Sequence, residues 1–129
     1  LVVDDEDNAR ELIETALTQY GADVVAVSSA DEAYTLITAT PPQERPDIMV
    51  TDIGMPGEDG YSLMRRVREW ERERGFYTPA VALTAYGRTE DRMRVLRSGF
   101  QMHVVKPVEP AELAAVITSL IRRPMAPRQ

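Results

Sequence analysis

Ile48-Met49-Val50-Thr51-Asp52 is a short apolar run closed by a carboxylate, and the pattern recurs on either side of it. Leu1-Val2-Val3 is followed by Asp4-Asp5, and His103-Val104-Val105 is followed by Lys106. Continuous β-branched runs of this length suit strands buried on both faces, as in a parallel sheet with helices on each side. Two more runs complete the set, Val24 to Val27 and Ala80 to Thr84. Between the strands, apolar residues return at helical spacing. Ala9, Leu12, Ile13, Ala16, Leu17 and Tyr20 form one such face, stopped by Gly21. Ser29 and Glu32 make a capping box ahead of Ala33, Leu36 and Ile37. Leu63, Met64, Val67 and Trp70 mark a third helix, after a tight loop through Met55-Pro56-Gly57 and Gly60. Residues 88 to 98 read as a fourth, weakly amphipathic helix ended by Gly99. Pro110 opens a fifth, lined by Leu113, Val116, Ile117 and Leu120.

Five strands alternating with five helices predict an α/β fold, a doubly wound parallel sheet of flavodoxin-like order 2-1-3-4-5. Residues 1–121 are read as one domain and 122–129 as a basic, proline-containing tail or linker. The 129 residues can bury roughly two-thirds of their unfolded surface without staples. With no cysteine, a disulfide framework and a thiolate metal site are excluded. A net charge of −6 argues against direct nucleic-acid binding by this domain. No apolar run is long enough for a membrane segment, and a cytoplasmic location is expected. Leu1 is not a methionine and reads as partway into a strand, so the segment is expected to belong to a longer protein.

In such a sheet all strand C-termini share one edge, and the order 2-1-3-4-5 sets the first and third strands side by side. Asp4, Asp5 and Asp52 then meet in one crevice, where mutual repulsion favours protonation or a bound cation. Magnesium fits, because it takes one or two carboxylates together with water and phosphate oxygens. Thr84 offers a hydroxyl at the same edge, and Lys106 a point charge suited to a phosphoryl group. Taken singly, a strand-end Thr is usually a turn hydroxyl and a strand-end Lys usually solvated; the joint placement carries the argument. The Lys106-Pro107 peptide is expected to be cis, since the chain turns sharply there and X-Pro is where cis is cheap. The alternating charges from Arg65 to Arg74 read as a solvated helix face with local ion pairs.

Val2-Val3-Asp4-Asp5, Asp52-Ile53-Gly54-Met55-Pro56 with Gly57 and Gly60, Leu83-Thr84-Ala85 and Lys106-Pro107 closely resemble the receiver domain of two-component response regulators. The resemblance spans essentially the whole chain. It implies that Asp52 is the phosphoacceptor, taking a phosphoryl group from a phosphohistidine. It implies that Asp5, Asp52 and the Gly54 carbonyl hold magnesium, with Asp4 acting through a metal-bound water. Lys106 would pair with phosphoryl oxygens, and the Thr84 hydroxyl and Ala85 N–H would bind the group on arrival. Self-phosphorylation and slow self-dephosphorylation follow from the same likeness. So does a partner histidine kinase or histidine phosphotransfer domain, and a homodimer through the face of the fourth helix, fifth strand and fifth helix.

Two positions depart from the family's habit. His103 stands where members usually carry Tyr or Phe, a switch ring that moves with the threonine. Gly99-Phe100-Gln101-Met102-His103 looks more like receivers of hybrid sensor histidine kinases than those fused to DNA-binding domains. Two other readings compete. An aspartate-nucleophile phosphohydrolase of the haloacid dehalogenase type would carry its aspartates two residues apart after the first strand, where this chain has an adjacent pair. A phosphorylation-independent pseudo-receiver would normally have lost an acid or the lysine, and none is missing.

Overall fold

The computed structural model describes residues 1–85 and 89–122. In chain order the elements are β1 (Val2–Val3), α1 (Asp7–Gln19), β2 (Ala26–Val27) and α2 (Ala30–Ala39). They continue with a 3-10 turn (Pro42–Glu44), β3 (Met49–Asp52), α3 (Gly60–Arg74), β4 (Ala80–Thr84), α4 (Thr89–Arg97), β5 (Met102–Val105) and α5 (Pro110–Arg122). All strand pairs are parallel, in the order β2-β1-β3-β4-β5 expected from the sequence. The start of the fourth helix at residue 88 and most of the tail expected over 122–129 lie outside the described residues.

Alternate residues of the inner strands feed two cores, whereas β5 at the edge contributes Val104 to one of them. Val3, Met49, Ala80 and Ala82 pack with Ala33 and Ile37 of α2 and Leu63, Met64 and Val67 of α3. Val2, Val50, Val81, Leu83 and Val104 pack with Ile13 and Leu17 of α1 and Leu113 and Leu120 of α5. The sheet is therefore covered on both sides, which is why its strands read as unbroken apolar runs.

Local chemistry sets the helix ends. The Ser29 hydroxyl accepts from the Glu32 N–H, and Glu32 reaches back to the N–H and hydroxyl of Ser28 rather than to Ser29 itself. The Asp59 carboxylate caps α3 through the Ser62 N–H, and Gly75, at φ 76°, closes that helix in the left-handed region that favours glycine.

Three expectations need correction. Leu12 and Tyr20, counted in the apolar set at helical spacing, are exposed; Ile13, Ala16 and Leu17 form the buried stripe of α1. The segregation of polar and apolar residues in α4 is no weaker than in α1. The charged run on α3 is also not wholly solvated. Glu71 is fully buried, four residues after Val67 on the same inward stripe. Its carboxylate accepts from Arg45 at 3.0 Å, Arg68 at 2.6 Å and the Thr78 N–H at 2.9 Å. The Arg45 guanidinium lies against the rings of both Trp70 and Phe76, which stack on each other, and also donates to the Thr78 hydroxyl. Arg68 continues the network to the Gly99 carbonyl.

Candidate functional site

Strand register brings the charged residues level. Val3 pairs with Thr51, so the next residues, Asp4 and Asp52, emerge side by side. Thr84 pairs with Val105, placing the Thr84 hydroxyl and Lys106 one step further along the same edge. The Lys106 N–H donates to the Thr84 carbonyl at 2.7 Å, and the Lys106-Pro107 peptide is cis as expected.

Asp4 is fully buried, Asp52 nearly so, and Asp5 is exposed. One carboxylate oxygen from each lies within 4.8 Å of the others. Lys106 Nζ sits 3.3 Å from Asp52 Oδ1 and 3.7 Å from Asp4 Oδ2. Among the described residues Lys106 is the side-chain cation paired with this cluster, reaching two of its three carboxylates, so the cluster keeps a negative excess. Asp4 Oδ1 accepts from the Glu6 N–H at 3.0 Å, whereas its buried Oδ2 has no hydrogen-bond partner. Burial pushes the Asp4 carboxyl above its usual pKa. The Glu6 N–H and Lys106 oppose that shift, and Asp52 and Asp5 add to it.

An orphaned carboxylate oxygen inside a cluster of hard oxygen donors suits a hard divalent cation. Magnesium fits this donor set, and Asp4, Asp5 and Asp52 are the side chains that could hold it. The backbone contributes too. The Gly54 N–H donates to Asp52 Oδ1 at 3.2 Å, which turns the β3–α3 loop back over the carboxylate. Gly60 lets α3 start hard against β3. A Cβ at that position would stand 2.6 Å from the Asp52 carbonyl oxygen, so only glycine allows the approach.

The other anticipated residues are nearby to differing degrees. Thr84 is buried at the end of β4, and Ala85 follows it, exposed. His103 is half-buried on β5 beside Ala82, and its imidazole makes no hydrogen bond or ion pair to a described residue. Sequence reasoning missed Arg10. Its Nη1 donates to the Asp4 carbonyl at 2.9 Å while Nη2 pairs with Asp7 at 2.6 Å. The spacing Asp7-x-x-Arg10 on a helix was the available signal for the second contact, but not for the first.

Residues 1–118 match the family model for the response regulator receiver domain. A 14.6 kDa protein from the sodA1 3' region of Leptolyngbya boryana is 44% identical over 117 residues, 91% of this chain and 85% of that one. The "probable transcriptional regulator ycf27" of Guillardia theta is 39% identical over 123 residues, 95% of this chain and 45% of that protein. The chain thus spans most of the first relative and about half of the second. The solved receiver domain of Francisella response regulator 1452 superposes with a TM-score of 0.81 at 30% identity, covering 95% of this chain and 94% of that one.

Proposed function

This chain belongs to the response regulator receiver family, and we propose that Asp52 takes a phosphoryl group from a phosphohistidine in a magnesium-dependent reaction. The observation that carries the reading is the cluster itself, three carboxylates within 4.8 Å with Lys106 reaching two of them. A purely structural site would have paired its buried acids more completely. The partner is a histidine kinase or a histidine phosphotransfer domain, consistent with the family's two-component role. Among the described residues no helix is long and apolar enough to cross a membrane.

In the transfer, an Asp52 carboxylate oxygen forms the new O–P bond as the P–N bond of phosphohistidine breaks. The electron pair leaves with the imidazole nitrogen. Phosphoryl transfer asks the protein mainly for in-line positioning and charge stabilisation. Bound magnesium would supply positive charge where an anionic donor meets an acidic crevice. Asp5, Asp52 and the Gly54 carbonyl would hold it directly, and Asp4 through water. Lys106, already at the crevice, pairs with the transferred oxygens, and the Thr84 hydroxyl and Ala85 N–H receive them. Water later cleaves the acyl phosphate, returning the carboxylate and inorganic phosphate.

The readout face is α4, β5 and α5, with Thr84 and His103 as its switch positions. Met93, Leu96, Met102 and Val105 leave apolar surface exposed there, which favours docking of a partner or a second copy. Labelling by acetyl phosphate tests the chemistry. The wild-type protein should gain phosphoryl mass only with magnesium. Asp5→Asn should be slow at low magnesium and recover as the metal is raised. Equal labelling of wild-type protein with and without magnesium would overturn the metal assignment.

A further inference from the structure

We propose that Arg10 is a positioning residue for the acid cluster, fixing the Asp4-Asp5 peptide so that Asp5 is presented to the metal. The proposal rests on the magnesium site assigned above and adds to it a side chain outside the cluster.

The three carboxylates are held unequally. Asp4 is buried and accepts from the Glu6 N–H, and its own N–H donates to the Val27 carbonyl at 3.2 Å. Asp52 is held by the Gly54 N–H and Lys106. Asp5 is exposed, and no described residue bonds its carboxylate. With no side-chain partner, its placement depends on how the backbone between β1 and α1 is held. The Glu6 N–H bond to Asp4 Oδ1 holds the peptide after Asp5, and the peptide leading into Asp5 is held at the Asp4 carbonyl. Arg10 Nη1 holds that carbonyl at 2.9 Å. Asp7, in the first turn of α1, holds the other end of the guanidinium fork at 2.6 Å. Arg10 is mostly covered, so the fork is locked between a helix turn and the loop. A planar guanidinium can make both bonds at once, whereas a lysine ammonium cannot reproduce the fork.

A charge argument gives the opposite sign, which makes the proposal testable. Arg10 is a cation close to a cation site, so by Coulomb repulsion alone its removal would strengthen magnesium binding. If it positions Asp5, removal weakens binding despite the relief of repulsion. Outer-sphere supports of metal ligands are typically worth about 10- to 100-fold in affinity.

Magnesium affinity is measured by titration calorimetry on wild-type protein, Arg10→Ala, Arg10→Lys and Asp5→Asn, with thermal unfolding in metal-free buffer alongside. Both Arg10 variants should bind magnesium about 10-fold more weakly, with metal-free melting temperatures close to wild type. Arg10→Lys, which keeps the charge, should not restore affinity. Tighter binding by Arg10→Ala with unchanged binding by Arg10→Lys would reduce Arg10 to a charge and overturn the proposal. Equal loss of melting temperature and affinity in both variants would make Arg10 a fold residue and also overturn it. If wild-type protein itself binds no magnesium, or Asp5→Asn binds as well as wild type, the underlying metal site falls and the proposal falls with it, an outcome distinct from normal metal binding in the Arg10 variants.

Discussion

Two buried carboxylates sit at opposite ends of the same sheet and are treated in opposite ways. Glu71, near the N-terminal edge of β4, has two arginines and a backbone N–H on its oxygens. Asp4, at the C-terminal edge of β1, shares one lysine with Asp52 and keeps an oxygen without a hydrogen bond. Burial alone does not separate them, since both are fully inaccessible. What separates them is the balance of partners. Both oxygens of the Glu71 carboxylate are paired, although Arg45 Nη1 keeps no hydrogen bond, and the network ties the loop before β3, the end of α3 and the turn before β5 together. The Asp4 cluster is open and underpaired, which suits the proposed binding of a cation followed by a phosphoryl group.

The largest difference between the two ends should appear on deleting each carboxylate. Glu71→Ala leaves Arg45 and Arg68 beside a void, and breaking a buried pair from one side typically costs about 3–5 kcal/mol. Urea unfolding should show that loss, and a loss below about 1 kcal/mol would mean the network does not hold the fold. Asp4→Asn should do the reverse and stabilise the metal-free protein, since it removes a desolvated, repelled charge. With magnesium present the gain should vanish, because the wild type is then stabilised by binding and the variant much less so.

A subtler contrast is in pH. The folded-state pKa of Asp4 is raised, so between the ordinary carboxylate value and that raised value the native state binds a proton the unfolded chain has lost. Metal-free stability should therefore fall as pH rises through that window, and Asp4→Asn should flatten that slope. Magnesium affinity should move the other way and weaken as pH falls through the same window, because the metal needs the ionised form. An affinity independent of pH there would remove Asp4 from the site. The smallest effect is expected at His103. His103→Tyr should leave magnesium affinity and stability nearly unchanged, yet enlarge the change in amide exchange across α4 and β5 when a phosphoryl mimic binds. Changes confined to the loops around Asp52 in both proteins would mean that the signal does not leave by that face.

The two ends were not equally legible in the sequence. The acid cluster could be read because each member closes an apolar run, and a parallel sheet has only one edge for such residues. The Glu71 network could not be read that way. Its partners come from residue 45, a second turn of α3 and the entry to β4, and the alternating charges around it look like a solvated surface. The signal that existed was periodicity, since Glu71 follows Met64 and Val67 on the inward stripe of α3. Leu12 and Tyr20 misled for the converse reason, being apolar residues at nearly the right helical spacing but at the margin of the buried face. Arg10 was invisible because its main contact is to a backbone carbonyl, which no spacing of side chains announces.

The most direct test of the difference between the two ends is intact-mass measurement after incubation with acetyl phosphate and magnesium. Wild-type protein is expected to gain one phosphoryl group, mapped by peptide analysis to Asp52. Asp52→Asn, which keeps the shape and removes the nucleophile, is expected to gain none. A wild-type chain that gains no phosphoryl mass, or an Asp52→Asn variant that gains it equally, would contradict the assignment of Asp52 as the phosphoacceptor.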